Sequence, residues 1–404
     1  MRAHTSILLL ASLSIFAGTG CGVFRRLAGD DTINLEKAQV KSMSVDLRRQ
    51  AKTICPREPV QMAVFAQVVL EDEKEAKNVE TWQGRGSVNK NDKLEFTDFA
   101  FHSEQGSFDQ QGWFSPNRDV VATAGKEFEI KSVYRRRPDK FSFATTYKPD
   151  YTCMKDGGRG GTPGQRGEGG SEGSRGGVGQ GGSNSSGGGD GGDGGDGSPG
   201  GPGSEGAAGP NLVAYATIVK TPFYERLVGI VIQGDETDFI LAPEGQPFVL
   251  HANGGAGGSG GRGGSGGPGG SGGSGNPGGQ GGKGGRGGHG GNGGNGGPGG
   301  SIQLIVDSRF PDLAAQIRLD VSGGVAGQGG SAGEGGRAGS GGGGLTPPSS
   351  SGVSPPQAQR GRDGSSGASG HPGRPARPGP DGRAQAAKGA VKDKFSGRGE
   401  VTPL

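Results

Sequence analysis

Three aspartates stand three residues apart in the stretch GGDGGDGGD, at Asp190, Asp193 and Asp196. Carboxylates are ligands that Ca²⁺ prefers, so this spacing raises the question of a calcium site. In an extended polyproline II chain the three side chains share one face but lie about 9 Å apart, too far for one ion with ligands at about 2.3–2.6 Å. We therefore interpret them as a solvated acidic strip, and the sequence predicts neither a metal site nor a cofactor.

A second cluster is basic, because Arg135, Arg136 and Arg137 follow directly after Tyr134. Guanidinium groups pair with carboxylates and phosphates through two parallel N–H donors, so this run is a candidate patch for an anionic ligand. A solvated strand end is the alternative interpretation.

The N-terminus reads MRAHTSILLLASLSIFAGTGCG. A basic residue precedes an apolar run over residues 7–17, which is shorter than the roughly 20 residues that a membrane-spanning helix needs. Residues 1–20 are therefore predicted to be an export signal. The ending Gly18-Thr19-Gly20-Cys21 resembles the bacterial lipobox, although that pattern usually has Leu in place of Gly18.

The lipobox resemblance implies that Cys21 becomes the lipidated first residue of the mature protein. Gly22 resembles the signal that directs lipoproteins to the outer membrane, so we expect a lipid-anchored protein there, facing the periplasm or the surface. Ordinary cleavage, with Cys21 uninvolved, is the alternative.

Two further cysteines, Cys55 and Cys153, complete the set of three in the chain. If Cys21 carries a lipid, these two remain as an even pair in an oxidising compartment. We predict one disulfide between them, and two buried free thiols are the alternative.

Hydrophobic residues alternate with a period of two between these cysteines, which predicts strands with one buried face. The clearest case is VQMAVFAQVVL at residues 60–70, and shorter cases are LEFTDFAF, FEIKSVY and FSFATTY. Residues 37–155 therefore predict an antiparallel β-sandwich, joined to Cys21 by a tether over residues 21–36. It resembles an immunoglobulin-like module, although the cysteines bracket the domain instead of joining two strands across its core.

Glycine repeats fill much of the remaining chain, which holds 94 glycines and 25 prolines among 404 residues. In residues 254–300 two glycines and one variable residue alternate, with one break at Asn276. Residues 156–210 and 323–344 also keep glycine at every third position, apart from Ser185. Period three is the period of the polyproline II helix, in which residues three apart share a face.

The middle run has too few prolines for a collagen triple helix, but two bare faces let neighbouring helices exchange backbone hydrogen bonds. Its Gly-Gly-X pattern resembles snow-flea-type antifreeze proteins and mycobacterial glycine-rich PGRS domains. The whole layout resembles glycine-rich, collagen-like lipoproteins of myxobacteria. These resemblances imply a polyglycine II bundle and carry no catalytic residues. The antifreeze resemblance also suggests ice binding. The bulky, charged side chains of Arg262, Lys283 and Arg286 argue against that function.

Ordering a residue costs roughly 1–2 kcal/mol, whereas a backbone hydrogen bond returns about 0.5–1.5 kcal/mol. A bundle therefore needs anchors, and a flexible tether is the alternative. The candidate anchors are two apolar β islands, residues 211–253 and residues 301–322. If they pair, each glycine run leaves and returns to a common sheet. We expect residues 345–404 to form a collagen-like, basic, disordered tail.

No grouping of residues typical of an active site emerges. Lys283 is followed by Gly284 instead of Ser or Thr, so the nearby GGKGG does not match a phosphate-binding loop. Arg-Gly-Gly pieces lack interleaved aromatic residues, and the export signal separates the chain from nucleic acid. The sequence predicts a protein that is not an enzyme and does not bind nucleic acid.

Together these features predict a mainly β, lipid-anchored structural or adhesive protein of the cell envelope. The alternative is a binding module in which the sandwich recognises envelope polysaccharide or a protein partner, with the glycine region as its scaffold. The expected partners are therefore the membrane, through the lipid, and an envelope polysaccharide or another surface protein.

Overall fold

The computed structural model describes residues 31–49, 51–71, 73–82, 90–347 and 357–404. The chain is mainly β, with several sheets and only two short helices among the described residues, α1 (Val120–Thr123) and α2 (Leu313–Gln316). Within those ranges, no helix is both long and apolar enough to cross a membrane. The predicted signal peptide and Cys21 lie outside the described residues.

The N-terminal half consists of two sheets that share one hydrophobic core. Most neighbouring strands are antiparallel, but β2 and β9 are parallel. One sheet contains β1 (Ala38–Leu47), β3 (Val60–Leu70), β4 (Lys77–Glu80), β6 (Gly106–Phe108) and β7 (Trp113–Pro116). The other contains β2 (Thr53–Ile54), β5 (Phe99–His102), β8 (Phe128–Tyr134) and β9 (Ser142–Pro149).

The predicted alternation explains this core. In β3 the side chains of Met62, Val64 and Val68 are fully buried, while Gln67 between them is exposed. The boundary prediction needs one correction, because Ile33 and Leu35 of the expected tether are also buried in this core. Burying these two apolar side chains removes their surface from water, which lowers the free energy relative to a solvated linker.

The C-terminal half also has two sheets around one core. Three parallel strands form the smaller sheet, in the order β10 (Asp156–Gly158), β14 (Phe248–His251) and β16 (Ile317–Asp320). The larger sheet contains β11 (Asn211–Lys220), β12 (Leu227–Gln233), β13 (Thr237–Pro243), β15 (Ser301–Asp307), β17 (Arg383–Gly389) and β18 (Thr402–Pro403). The islands do pair, through β11 with β15 in the larger sheet and β14 with β16 in the smaller one. Each glycine run therefore leaves one sheet and enters the other, instead of returning to a common sheet.

Six extended glycine-rich segments connect these two sheets. Segments 1, 3 and 5 follow β10, β14 and β16, and segments 2, 4 and 6 lead into β11, β15 and β17. A turn at residues 183–186 joins segments 1 and 2, and a cis Asn276–Pro277 bond lies between segments 3 and 4. We define them as residues 159–182, 187–210, 252–275, 278–300, 321–344 and 358–382, respectively.

Residues 345–404 are not a disordered tail where the structure describes them. Segment 6 lies beside segments 4 and 5, and β17 pairs with β15 over seven residue pairs from Ser301↔Arg383 to Asp307↔Gly389. A 3₁₀ turn at Lys392–Phe395 then places Phe395 in the core at 0% exposure. These residues are ordered because glycine recurs at every third position, as in the earlier runs. Segment 6 therefore has the same bare backbone face for contact with its neighbours.

The two halves contact each other directly. Tyr151 and Met154 at the end of the first half belong to the core of the second half. The Tyr224 hydroxyl donates to the Pro149 carbonyl at 2.8 Å, and Arg57 forms an ion pair with Asp238 at 2.5 Å.

Candidate functional site

The glycine segments are organised by the strands from which they continue. β10 pairs with β14 at an offset of 93 residues, as in Asp156↔Val249, and the Gly161 amide then donates to the Asn253 carbonyl at 2.7 Å. The parallel sheet thus sets the register in which the segments begin.

Lateral hydrogen bonds run in one direction within each of two rows. In the first row, amides of segment 1 donate to carbonyls of segment 3, and amides of segment 3 donate to segment 5. In the second row, segment 2 donates to segment 4, and segment 4 donates to segment 6. Each set of bonds recurs every third residue, for example at Gly164, Gly167 and Gly170 along segment 1.

A further set of bonds joins the two rows. Segments in opposite rows are antiparallel, as in Gly264 of segment 3 donating to Ser198 of segment 2 at 2.9 Å. Segments 3 and 4 consequently have four neighbours each, segments 2 and 5 have three, and segments 1 and 6 have two.

Glycine is required sterically at these contacts. A Cβ atom added to Gly264 would overlap the carbonyl oxygen of Ser171, and one added to Gly263 would overlap that of Gly288. By contrast, a Cβ atom on Gly177 of segment 1 would meet nothing within 4 Å. The backbones of central segments therefore approach too closely for any side chain at two of every three positions.

Polar side chains satisfy amides that point away from the backbone network. The carboxylate Oδ1 atoms of Asp190, Asp193 and Asp196 accept the amides of Gln280, Lys283 and Arg286 at 2.6–2.7 Å. The acidic strip is solvent-exposed, as expected, but it also holds segment 2 against segment 4. Among the described residues these carboxylates form no ion pair with Lys283 or Arg286.

Segment 4 caps segment 6 in the same way. The side chains of His289, Asn292 and Asn295 accept the amides of the segment 6 residues opposite them, at 2.9–3.1 Å. Those residues are His371, Arg374 and Arg377. The imidazole rings of His289 and His371 also stack, with centroids 5.2 Å apart.

These capped residues belong to one outward surface. The face continues from segments 2, 4 and 6 onto β11, β15 and β17, where the register pairs Asn211 with Ser301 and Ser301 with Arg383. A groove of about 690 Å³ lies there, lined in part by Asn211, Gln303, Arg383 and Gln385. Arginine and amide side chains together can bind anions and hydroxyl groups.

The predicted Arg135–Arg137 patch is largely neutralised within its own domain. Arg135 donates to the carbonyl of Phe99 at 3.2 Å. Arg136 lies 3.4 Å from Glu36 and 3.3 Å from Asp98, and its pKa is raised above the usual value, chiefly by Asp98. Arg137 lies 3.6 Å from Asp139.

The predicted disulfide is present between Cys55 and Cys153, which are 98 residues apart. It ties the residue that follows β2 to the segment between β9 and β10, which enters the second half. Glu58 lies close to both sulfurs, but disulfide-bonded cysteines are not thiolate ligands, so this grouping is not a metal site.

A buried carboxylate stands at the end of β15. Asp307, 3% exposed, accepts hydrogen bonds from the Thr217 hydroxyl at 2.7 Å and from the Arg309 guanidinium at 2.6 Å and 3.1 Å. The hydrogen bonds from Arg309 lower the pKa of Asp307 from 3.8 to about 2, against the opposing effect of desolvation.

The cationic side of the outward face is not predicted from the sequence, because the region containing Arg374, Arg377 and Arg383 is expected there to be disordered. The available signal was the glycine period, in which Ala376 keeps the phase of Gly373 and Gly379. Comparisons with protein-family models, curated proteins and solved structures find no match for this chain.

Proposed function

We propose that the glycine segments form a polyglycine II bundle and that the protein is an exported, lipid-anchored structural element of the cell envelope. The observation that carries this proposal is the backbone network, in which amides at every third residue connect six segments in two rows. Such a network makes a stiff body and leaves the variable side chains at its surface.

The charge pattern of the sandwich favours the structural role over recognition through Arg135, Arg136 and Arg137. Each of these side chains is already engaged by a carbonyl or a carboxylate of the same domain. Releasing them for a ligand would require breaking those contacts, so the sandwich serves better as the base that supports the bundle.

Export and anchoring follow from Cys21 and the segment before it. The Cys55–Cys153 disulfide supports an oxidising compartment, where such bonds persist. With a lipid on Cys21, the outer membrane would hold the base of the protein, and the sandwich and bundle would project from it, facing the periplasm or the surface.

Fatty-acid labelling of the full chain in a bacterial host tests the anchor. We expect label on the wild-type protein in the membrane fraction and none on Cys21→Ser. The double variant Cys55→Ser/Cys153→Ser is the matched control, because it loses two cysteines and retains the lipidation site. Equal labelling of Cys21→Ser and wild type would contradict the proposed anchor.

Circular dichroism of the same protein tests the bundle. A polyglycine II bundle predicts a polyproline-type contribution to the spectrum that disappears in one cooperative thermal transition. A gradual change without a transition would support a flexible tether instead.

A further inference from the structure

The outward surface of the second row is laterally divided by charge. Its acidic column lies on segment 2, at Asp190, Asp193, Asp196 and Glu205, and a basic column lies on segment 6 and its continuation β17. Segment 4 separates the two columns, because segment 6 bonds to segment 4 and not to segment 2. We call the surface that carries Arg374, Arg377 and Arg383 with Asn292, Asn295, Ser301, Gln303 and Gln385 the arginine–amide face.

The three arginines of this face are available to a partner. Arg374, Arg377 and Arg383 are exposed, and within the described part of the chain none lies within salt-bridge distance of a carboxylate. Two acids border the face, but Glu205 accepts from Asn295 at 2.9 Å and Asp381 accepts the Gly323 amide at 2.9 Å.

The backbone beneath the arginines is fixed. The Asn292 and Asn295 side chains accept the amides of Arg374 and Arg377 at 2.9 Å and 3.1 Å. β15 and β17 hold Arg383 in register with Ser301. A ligand would therefore meet cations at set intervals, about 9 Å for three residues of a polyproline II chain, without ordering a loop.

The amide and hydroxyl groups beside the arginines indicate the chemistry of the partner. The side-chain amides of Gln303 and Gln385 are exposed and both donate and accept hydrogen bonds, as sugar hydroxyls do. Arginine pairs with carboxylates through two parallel donors. The face offers no projecting apolar side chain of the kind that enters a lipid bilayer.

We propose that the arginine–amide face binds a linear polysaccharide that bears carboxylates, lying along segment 6 and across the groove at Arg383 and Gln385. This proposal rests on the proposed function in two respects: the bundle sets the spacing of the arginines, and the envelope is where the protein would meet the polysaccharide. The binding itself is measured with purified protein. Failure of lipidation and failure of binding are therefore distinguishable.

The test measures binding of the detergent-solubilised full chain to polygalacturonate, to neutral dextran and to vesicles of phosphatidylglycerol with phosphatidylcholine. We expect binding to polygalacturonate alone, weakening as salt is raised because exposed charges are screened. The variant Arg374→Gln/Arg377→Gln/Arg383→Gln should bind roughly tenfold more weakly, because three exposed ion pairs with the polymer are lost.

The matched control is Arg166→Gln/Arg175→Gln/Arg262→Gln, which removes the same charge from exposed positions on the first row. It should bind within about twofold of wild type, and both triple variants should keep the wild-type thermal transition. If both variants weakened binding equally, net charge alone would explain the effect, and the proposal would be overturned. Binding to the vesicles instead, or no binding to polygalacturonate, would also overturn it.

Discussion

The central and outer glycine segments differ in sequence as they differ in number of neighbours. Segments 3 and 4 contact four others and keep glycine at two of every three positions. Segments 1 and 6 contact two others and keep one such position, with Ala358 and Ala376 of segment 6 as its substitutes. The glycine content of a segment therefore reports how many sides of its backbone are covered.

The intermediate segments follow the same rule. Segments 2 and 5 have three neighbours, and each keeps one position that is glycine throughout, apart from Val321 at the start of segment 5, and a second that also admits other residues. These other residues are Ser198, Ser204, Ala207 and Pro210 in segment 2, and Ala326, Ala332 and Ala338 in segment 5. This correlation teaches that a Gly-Gly-X run marks the interior of such an assembly and a Gly-X-X run marks its rim.

Amide hydrogen exchange should show the largest difference, between central segment 3 and the uncovered side of segment 5. The Gly260 and Gly261 amides of segment 3 donate to Gln328 and Gly201 at 2.8 Å, whereas the amides of Ala326, Gly329 and Ala332 on segment 5 have no acceptor in the described structure. We expect exchange at the first pair to be slower by about a thousandfold or more, as cooperative opening requires. Uniform exchange across both sets, followed by NMR, would contradict the rule.

Replacing glycine by alanine should give the second-largest difference between the centre and the rim, measured as the change in the free energy of unfolding. Gly264→Ala places a methyl group on the Ser171 carbonyl, and we expect a loss of about 2–4 kcal/mol in the free energy of unfolding from overpacking and a broken hydrogen bond. Gly177→Ala is the control, because its methyl group meets open space. It should be neutral or stabilising by about 0.5 kcal/mol, since alanine restricts the unfolded chain. Denaturant unfolding measures both, and equal losses would refute the steric explanation.

Acidification should act on the central strand β15 and leave the rim strand β17 unaffected. Asp307 has a pKa of about 2 in the folded protein against 3.8 ordinarily, so its stabilisation is complete above pH 3.8 and is lost as the pH falls towards 2. The difference corresponds to about 2 kcal/mol. Its register partner on β17 is the uncharged Gly389.

Unfolding measured at pH 5 and at pH 2.5 tests this expectation. The variant Asp307→Asn should show a smaller difference between the two pH values than wild type does. If Asp307→Asn showed the same difference in stability between pH 5 and pH 2.5 as wild type, the acid sensitivity would come from other carboxylates.

The smallest effect is expected for the side chains that cap exposed amides. Asp193→Ala removes the acceptor of the Lys283 amide, and water can take the place of the carboxylate. We therefore expect a loss of about 0.5–1 kcal/mol in the free energy of unfolding. Glu172→Ala on segment 1 removes the same charge from an exposed residue whose side chain makes no hydrogen bond or ion pair in the described structure, and should change stability less. Thermal unfolding of both variants at equal ionic strength measures the difference.

Local patterns in the sequence predicted much of the fold. The period of two in β3 predicted its buried face, the even pair of cysteines predicted the disulfide, and the apolar residues 301–322 predicted a β island, which contains β15 and β16. These features depend on neighbouring residues or on counting, so the sequence alone contains them.

The direction and register of long-range pairing were not predicted. β11 and β15 are parallel at an offset of 90 residues, as in Asn211↔Ser301, and no local pattern specifies such a partner. Segment 6 was missed because arginine and proline at its variable positions resemble a disordered tail. The arginine–amide face was missed with it, since its columns exist only once segments 4 and 6 lie side by side.

The common direction of the lateral bonds gives the assembly two chemically different edges. Amide donors point from segments 1 and 2 towards segments 5 and 6, so carbonyl oxygens face outward at one edge and amides at the other. Two copies could extend such rows only head to tail, and that kind of contact does not close on itself but leads to open filaments. Segment 6 places Pro372, Pro375 and Pro378 at its outer edge, where proline has no amide to donate. These prolines remove three amides that a chain added at this edge of segment 6 would need as donors.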